Sequence, residues 1–283
     1  MALSRAEVLM TLNTHSLIDG CGEEQLARLA RAVQQRQVDV LALQEVNQTQ
    51  GAVPASGERL RAAGCIPLAG KAPVREDNFA LRLCERLRAA DEAWHFVFSA
   101  AHNSYGRFEE GVALLTRLPA GRPFAADLSG DPAMDSWKSR VACGLAIGDA
   151  LYVSVHTGFW NDEEAPFSRQ WDALEAALPG DGPVFVMGDL NQPAHVRGEG
   201  FDLLMARGWH DAYTQAKRRD DGFTVGGSID GWRGVKDEPR RLDYILCSSA
   251  FSPARCEVIL RGDEAVSDHC GVCVHLREEG SGE

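Results

Sequence analysis

The 283-residue chain carries 45% hydrophobic and 25% charged residues, the balance of a folded globular protein forming one large α/β domain or two average ones. Its formal charge of −12 opposes sustained contact with a nucleic-acid backbone, which relies on many Lys and Arg contacts, and suits a small phosphorylated metabolite better. No apolar run approaches the ~20 residues of a membrane span, and MALSRAEVLMTLNTHS lacks an apolar core followed by a small-residue cleavage site, so the expectation is a soluble, cytoplasmic protein.

In chain order, EVLMTLN (7–13) is an apolar run ending at a polar position, and CGEEQLARLARAVQQRQ (21–37) places Leu26, Leu29, Ala30 and Val33 on one helical face. VDVLALQEV (38–46) is almost continuously apolar, as in a strand covered on both faces. The chain therefore opens β-α-β, with Asn13 and Glu45 near strand ends. After a loop holding Pro54, Gly57 and Gly64, EDNFALRLCERLRAA (76–90) spaces Phe79, Leu83 and Leu87 by four and predicts a second helix. WHFVFSA (94–100) and GVALLTR (111–117) predict strands. VACGLAIG and LYVSVHTG, joined by the short turn-like GDA, predict a hairpin whose second strand ends at His156.

FSRQWDALEAALPG (167–180) predicts a helix stopped by Pro179 and Gly180, and PVFVMGDLN (183–191) a buried strand running into polar residues. KRRDD (217–221) is basic, then acidic, and reads as a solvated loop or turn. RRLDYILCS, CEVILRG and CGVCVHL supply three more strands, with Asp243 inside the first and Asp268-His269 just before the last. The eight cysteines read as small buried hydrophobes with reduced thiols. Cys270 and Cys273 have CxxC spacing, but on a strand residues an odd number apart face opposite ways, which argues against redox or zinc use. No linker divides the chain, so residues 1–283 are expected to form a single domain, with 277–283 as a flexible tail.

Several apolar strands thus end in, or contain, a carboxylate, amide or imidazole: Asn13, Glu45, His156, Asp189 with Asn191, Asp243, and Asp268 with His269. Ligands bind at strand ends in α/β sheets, where loops gather side chains from distant positions. Oxygen donors without clustered Cys or His suit a hard cation, Mg²⁺ or Mn²⁺. Bound by Glu45 and Asp268, such an ion would polarise a phosphoryl oxygen while Asp189 deprotonates or orients the attacking water.

These residues resemble, in order and local context, the successive motifs of the endonuclease/exonuclease/phosphatase superfamily: TLN (11–13), LQE (43–45), GDLN (188–191), LDY (242–244) and SDH (267–269), with GVALLTR and the strand ending in His156 in their expected places. The resemblance covers nearly the whole chain. It implies a four-layer α-β-β-α sandwich of two packed mixed β-sheets flanked by helices, with the site at one end. It further implies metal-site residues Asn13, Glu45 and Asp268, a water- and phosphate-handling pair in Asp189 and Asn191, and a carboxylate-imidazole pair in Asp243 and His269. His156 would be a second donor to the phosphoryl group. One departure is His15, where many nuclease relatives carry an acidic residue two positions after the first Asn; a magnesium contact from that position is not carried over. His95, His102, His195, His210 and His275 lack motif support and are expected on the surface or in the core.

The superfamily hosts nucleic-acid, lipid and sugar-phosphate substrates. The strings LNTHS, LALQEVNQ, DNFAL, EEGVALLTR, HTGFW, GDLNQPA and IDGW resemble a bacterial branch that includes maltose 6'-phosphate phosphatase, which implies a phosphorylated sugar. Trp137, Phe159, Trp160 and Trp232 lie beside candidate site loops and could pack on sugar faces; Arg107, Lys138 and Arg140 are candidate phosphate contacts. The leading expectation is a phosphomonoesterase acting on maltose 6'-phosphate or a similar disaccharide phosphate. A metal-dependent nuclease is the alternative enzyme, and a non-catalytic binding module is the alternative of another class.

Overall fold

In the computed structural model, which describes residues 6–18, 22–91, 93–130, 134–226 and 238–277, the chain opens as expected. Strand β1 (Val8–Asn13) lies parallel to β2 (Val40–Thr49), with helix α1 (Gly22–Gln35) between them in sequence. Helices α2 (Gly57–Ala62) and α3 (Phe79–Arg88) follow, then strands β3 (His95–Ser104), β4 (Phe108–Thr116), β5 (Ala120–Asp127), β6 (Val141–Ile147) and β7 (Ala150–His156). β6 and β7 make the expected antiparallel hairpin. Beyond α4 (Phe167–Ala177) and β8 (Val184–Asp189) come α5 (Gly200–Ala206), β9 (His210–Asp211), α6 (Ala212–Gln215) and β10 (Arg218–Arg219). Strands β11 (Asp243–Cys247), β12 (Arg255–Ile259) and β13 (Gly271–His275) complete the described chain. The expected tail lies outside the described residues from 278 onward.

One sheet has seven strands in the order β10-β12-β13-β1-β2-β4-β3, and the other six in the order β5-β6-β7-β8-β11-β9. Both are mixed: β1 pairs β2, and β7 pairs β8, in parallel, whereas β13 pairs β1, and β11 pairs β8, antiparallel. Strand alternation distributes side chains between distinct cores. Leu41 and Leu43 of β2 pack with Leu26, Leu29, Val33, Phe79 and Leu83 under α1 and α3. Val40 and Ala42 of the same strand face the other sheet and meet Cys143, Tyr152, Met187 and Ile245. On the far side, Val153, Val155 and Val186 pack against Phe167, Trp171 and Leu174 of α4 and Phe201 and Leu204 of α5. Helix, sheet, sheet and helix therefore form four layers, and the continuous apolar character of β2 follows from its two covered faces.

KRRDD is exposed, as expected, but Arg218 and Arg219 also pair with β12 at the sheet edge. Cys270 precedes β13, Cys273 is buried within it, and the described cysteines are free thiols. No helix among the described residues is long and apolar enough to cross a membrane.

A polar seam ties the two sheets together below the strand ends. The Thr11 hydroxyl donates to Gln44 Oε1 at 3.2 Å, Gln44 Nε2 donates to Ser154 Oγ at 3.0 Å, and Ser154 donates to the Leu43 carbonyl at 3.0 Å. Space there is limiting. A Cβ built on Gly188 would lie 1.9 Å from the Val155 carbonyl oxygen and 3.1 Å from Gln44 Nε2. Because β7 backbone occupies that position and cannot rotate away, Gly188→Ala is expected to destabilise the fold by at least about 1–3 kcal/mol. Urea unfolding checks this; a midpoint equal to that of the unmodified chain would show that β7 and β8 tolerate the added atom.

Candidate active site

Strand register delivers the polar residues to one end of the sandwich. His156 at the end of β7 is in register with Asp189 at the end of β8, and Asp243 at the start of β11 is in register with Asp189 from the other side. The six-stranded sheet therefore presents His156, Asp189 and Asp243 across three adjacent strands. The seven-stranded sheet supplies Asn13 at the end of β1, Glu45 from β2, and Asp268-His269 just before β13.

Glu45 reaches the site through a β-bulge. Leu43 pairs Ala113 and Val46 pairs Gly111, so Gln44 and Glu45 together oppose Val112, and Glu45 takes φ 49°. A bulge of this kind bends the strand and re-aims a side chain, but it also frees backbone groups that need partners. The segment after Asn13 supplies them. The Thr14 hydroxyl donates to the Gln44 and Glu45 carbonyls at 2.8 and 3.0 Å, and the Ser16 hydroxyl donates to the Glu45 carbonyl at 2.8 Å. The Asn47 N–H in turn donates to Ser16 Oγ at 2.9 Å. LNTHS and LQEVN are thus two halves of one structure that aims Glu45.

The two sheets meet at side chains. Asn13 Nδ2 donates to Glu45 Oε1 at 2.8 Å and to Asp189 Oδ2 at 3.1 Å, so one amide joins both sheets. His269 Nδ1 lies 3.0 Å from Asp243 Oδ2, and its Nε2 lies 3.7 Å from Asp189 Oδ2. The Asn191 N–H donates to Asp189 Oδ1 at 2.9 Å, with Asn191 held at φ 52°. Positive φ in residues that carry a Cβ is strained and clusters at functional sites; here His15 (42°), Glu45 and Asn191 share it.

Burial and charge set the protonation pattern. Burial alone would discharge His269, but the carboxylates of Asp243 and Asp189 outweigh it and hold the imidazolium well above the usual histidine range. Burial, with the charge of Asp243, pushes the Asp189 carboxyl up to about 7, against the pull of His269 and the Asn191 N–H. Burial also acts upward on Glu45, yet the hydrogen bonds from His15 and Asn13, with the charge of His269, leave it at about 2. His156 is driven well below its ordinary value by burial and then by Arg140. Its Nε2 accepts from Asn191 Nδ2 at 3.1 Å, so in this arrangement that atom carries no proton.

A cavity of about 290 Å³ opens onto these groups, lined by Glu45, His156, Asp189, Asn191, Asp268 and His269. Of the candidate substrate contacts, Arg140, Trp137 and Phe159 line it. The others stand elsewhere. Lys138 Nζ is paired with Asp162 at 3.0 Å and Glu164 at 2.9 Å, Arg107 donates to the Ile18 carbonyl at 2.9 Å, and Trp160 packs against the α4 side, 6.5 Å from the Phe167 ring. Trp232 lies outside the described residues.

The cavity also contains groups that the motifs did not single out. His102, expected on the surface or in the core, lines it together with Glu110 and Tyr105. The His102 Nδ1–H donates to the Ser139 carbonyl at 3.1 Å, leaving Nε2 3.4 Å from Glu110 Oε1. Burial and the Glu45 charge push the Glu110 carboxyl up to about 8, and burial and Arg140 bring His102 down to about 4, so at neutral pH a carboxylic acid faces a neutral imidazole. Glu110 lies inside the EEGVALLTR string, but its depth in the cavity follows only from the pairing of β4 with β2 and β3.

Comparison with known proteins accords with this arrangement. A search of curated protein sequences finds no match. Among solved structures, an endonuclease/exonuclease/phosphatase family protein from Leptotrichia buccalis is similar at 26% identity and a TM-score of 0.82, over 96% of this chain and all (100%) of that one. A mannosyl-6-phosphatase from Bacteroides thetaiotaomicron superposes at 16% identity and a TM-score of 0.62, covering 96% of this chain and 100% of that chain. A 3′ phosphatase from Neisseria bound to a product DNA hairpin does so at 17% identity and a TM-score of 0.60, again over 96% and 100%. The profile of the Endonuclease/Exonuclease/phosphatase family matches residues 10–269. Its members are phosphoric ester hydrolases, typically dependent on a divalent metal. Two mixed sheets in four layers, a polar cluster at their common end and this match lead to one conclusion: the chain belongs to the endonuclease/exonuclease/phosphatase family.

Proposed function

We propose that the chain is a metal-dependent phosphomonoesterase that removes phosphate from a phosphorylated sugar, with Mg²⁺ or Mn²⁺ held by Asn13, Glu45 and Asp268. The observation that carries this reading is the meeting of a carboxylate cluster and a buried guanidinium in one cavity. Arg140 is 6% exposed, and its Nε has no hydrogen-bond partner among the described residues. Arginine stays protonated in proteins, so a fixed cation lines the cavity that would receive a phosphate.

The donor set fits a hard divalent cation. Among the described residues, Glu45, Asp189 and Asp268 make no ion pair with Lys or Arg; the basic side chains beside them are those of His15, His156 and His269. Among the described residues, the buried Asp243 Oδ1 has no hydrogen-bond partner. Anionic oxygens gathered without thiols and without a Lys or Arg ion pair suit Mg²⁺ or Mn²⁺. When bound, the ion polarises a phosphoryl oxygen and offsets the charge that develops in an in-line displacement.

The remaining roles fall to the chain's own groups. Asp189, with its pKa near 7, accepts a proton from the attacking water or orients it, because a base works best when its pKa lies near the operating pH. His269, kept protonated by Asp243, donates to the phosphoryl group through Nε2. Asn191 sits between Asp189 and His156, within reach of both. His156 can act as a second donor once its Nε2 takes up a proton and the Asn191 amide releases it.

Sugar specificity is supported by the wall of the cavity. Trp137, 53% exposed, and Phe159 line its mouth and offer apolar faces to a sugar ring. The volume falls at the small end of ligand pockets, which span about 300–1,000 Å³, and the net charge of −12 disfavours a long polyanion. The mannosyl-6-phosphatase among the structural neighbours supports the same reading. The Neisseria phosphatase with its DNA hairpin favours a second one, a nucleic-acid phosphoesterase. The intact set of acid, base and amide groups counts against a purely binding role.

A screen of sugar phosphates is expected to show phosphate release that stops on chelation and returns with Mg²⁺ or Mn²⁺; DNA cleavage with no sugar-phosphate turnover would replace the first reading by the second. Asp189→Asn and His269→Ala are each expected to lower kcat by about 10²–10⁴-fold with the circular dichroism spectrum unchanged, and turnover surviving either substitution would remove that residue from the mechanism. Because Asp189 must be ionised to act as a base, kcat should rise with pH through a limb centred no higher than about 7, since a bound cation lowers that value further. A rate that falls with pH across this range would contradict the assignment.

A further inference from the structure

We propose that Glu257, Cys273 and His275 form a second metal site, separate from the active site, that takes Zn²⁺ and leaves one coordination position to water.

Strand geometry puts the three donors on one face. Cys273 and His275 are two residues apart on β13, so their side chains point the same way, and Glu257 on β12 is the antiparallel partner of Cys273. The alternation that separates Cys273 from Cys270 thus aligns it with His275. That face is the one covered by α1, where Cys273 belongs to the core that holds Met10, Leu26 and Leu29. β13 rises about 3.4 Å per residue away from the active-site end, which puts the donors on the order of 10–20 Å beyond His269.

The spacings are close to those of a tetrahedral set. His275 Nε2 lies 3.8 Å from Cys273 Sγ and 3.7 Å from Glu257 Oε1, and all three donor atoms lie within 4.8 Å of one another. With zinc about 2.3 Å from sulfur and about 2.1 Å from nitrogen and oxygen, tetrahedral neighbours stand about 3.4–3.6 Å apart. The two contacts of the imidazole need to contract by only roughly 0.2–0.4 Å to meet that geometry. Sulfur, imidazole and carboxylate together suit zinc, whereas Mg²⁺ selects oxygen.

The group now between two of the donors is itself a cation. Arg255 Nη2 donates to Glu257 Oε1 at 2.9 Å and stands 3.2 Å from His275 Nε2. A guanidinium only donates, so the imidazole Nε2 accepts and carries no proton, which is the form that binds a metal. Cys273 and His275 are buried, whereas the Arg255 side chain is 38% exposed and has the long stem that lets its head turn to water. Burial pushes the Cys273 thiol up to about 12, so its proton passes to solvent as the zinc–sulfur bond forms. An Arg255–Glu257 ion pair that braces the edge of the sheet is the simpler role. It makes no use of the sulfur, and a probe that sees sulfur separates the two.

The test uses the full chain, reduced and freed of metal by chelation, titrated with Co²⁺ and then with Zn²⁺. Thiolate ligation gives a near-ultraviolet sulfur-to-cobalt absorption band, and no cysteine lines the active-site cavity, so the band does not report on that site. The unmodified chain is expected to show the band together with the visible absorption of a tetrahedral ion, and Zn²⁺ to abolish both. Cys273→Ser should lose the band with the circular dichroism spectrum unchanged, and His275→Gln and Glu257→Gln should each weaken Co²⁺ binding about tenfold or more. The Glu257 side chain is 26% exposed, so its variant keeps the test decisive if Cys273→Ser does not fold. Arg255→Gln, which withdraws the cation and leaves all three donors, should tighten binding about fivefold. No band in the unmodified chain, a band that survives Cys273→Ser, or an affinity unchanged in both His275→Gln and Glu257→Gln would overturn the site.

Discussion

The His269 imidazolium lies where the two sheets meet. It belongs to the segment entering β13 of one sheet, and its partners, Asp243 at 3.0 Å and Asp189 at 3.7 Å, begin and end neighbouring strands of the other. Buried carboxylates are unfavourable unless paired, and removing one partner of a buried pair leaves the other as an uncompensated charge, at a cost of about 3–5 kcal/mol. One cation between two carboxylates therefore fixes the relative position of the sheets at this end. Burial, with the charge of Asp243, nevertheless keeps the Asp189 pKa near 7 rather than in the ordinary carboxylate range.

Other features follow from the need to hold anionic groups together. Asn13 spans from Glu45 to Asp189, an uncharged bridge between two acidic side chains. The bulge in β2 turns Glu45 toward the same point, and the hydroxyls of Thr14 and Ser16 satisfy the carbonyls it exposes. Farther along the wall, Glu110 and His102 are both neutral, which leaves the Arg140 guanidinium as the positive group on that side of the cavity. Strained backbone at His15, Glu45 and Asn191 belongs to the same economy: local conformations unfavourable in themselves persist because the surrounding ladders determine them.

Much of this was legible in the sequence because polar residues interrupt apolar strands at their ends. Asn13, Glu45, His156, Asp189, Asp243 and Asp268 stood out for that reason, and the continuous apolar run of β2 announced a strand covered on both faces. What escaped lacks such contrast. β5 has Pro123 and an exposed, weakly alternating face at a sheet edge, where neither β propensity nor periodicity is imposed. α2 buries no residue and begins from a single cap, Ser56 accepting from the Arg59 N–H, so no hydrophobic stripe marks it. α5 is short, with Phe201 and Leu204 its main buried side chains. His102 and Glu110 carry no motif of their own; only strand pairing brings them to the cavity. Lys138 resembled a phosphate contact until the chain fold brought Asp162 and Glu164 to it.

The central claim is that Asp243 and Asp189 keep His269 charged. Nitrogen chemical shifts of the His269 ring, followed by NMR against pH in the chelated protein, measure this directly. The account predicts an imidazolium that persists well above the ordinary value of 6.5 and returns toward that value when Asp243 is replaced by Asn. A His269 ring that titrates near 6.5 in the unmodified chain, with no response to Asp243→Asn, would contradict it.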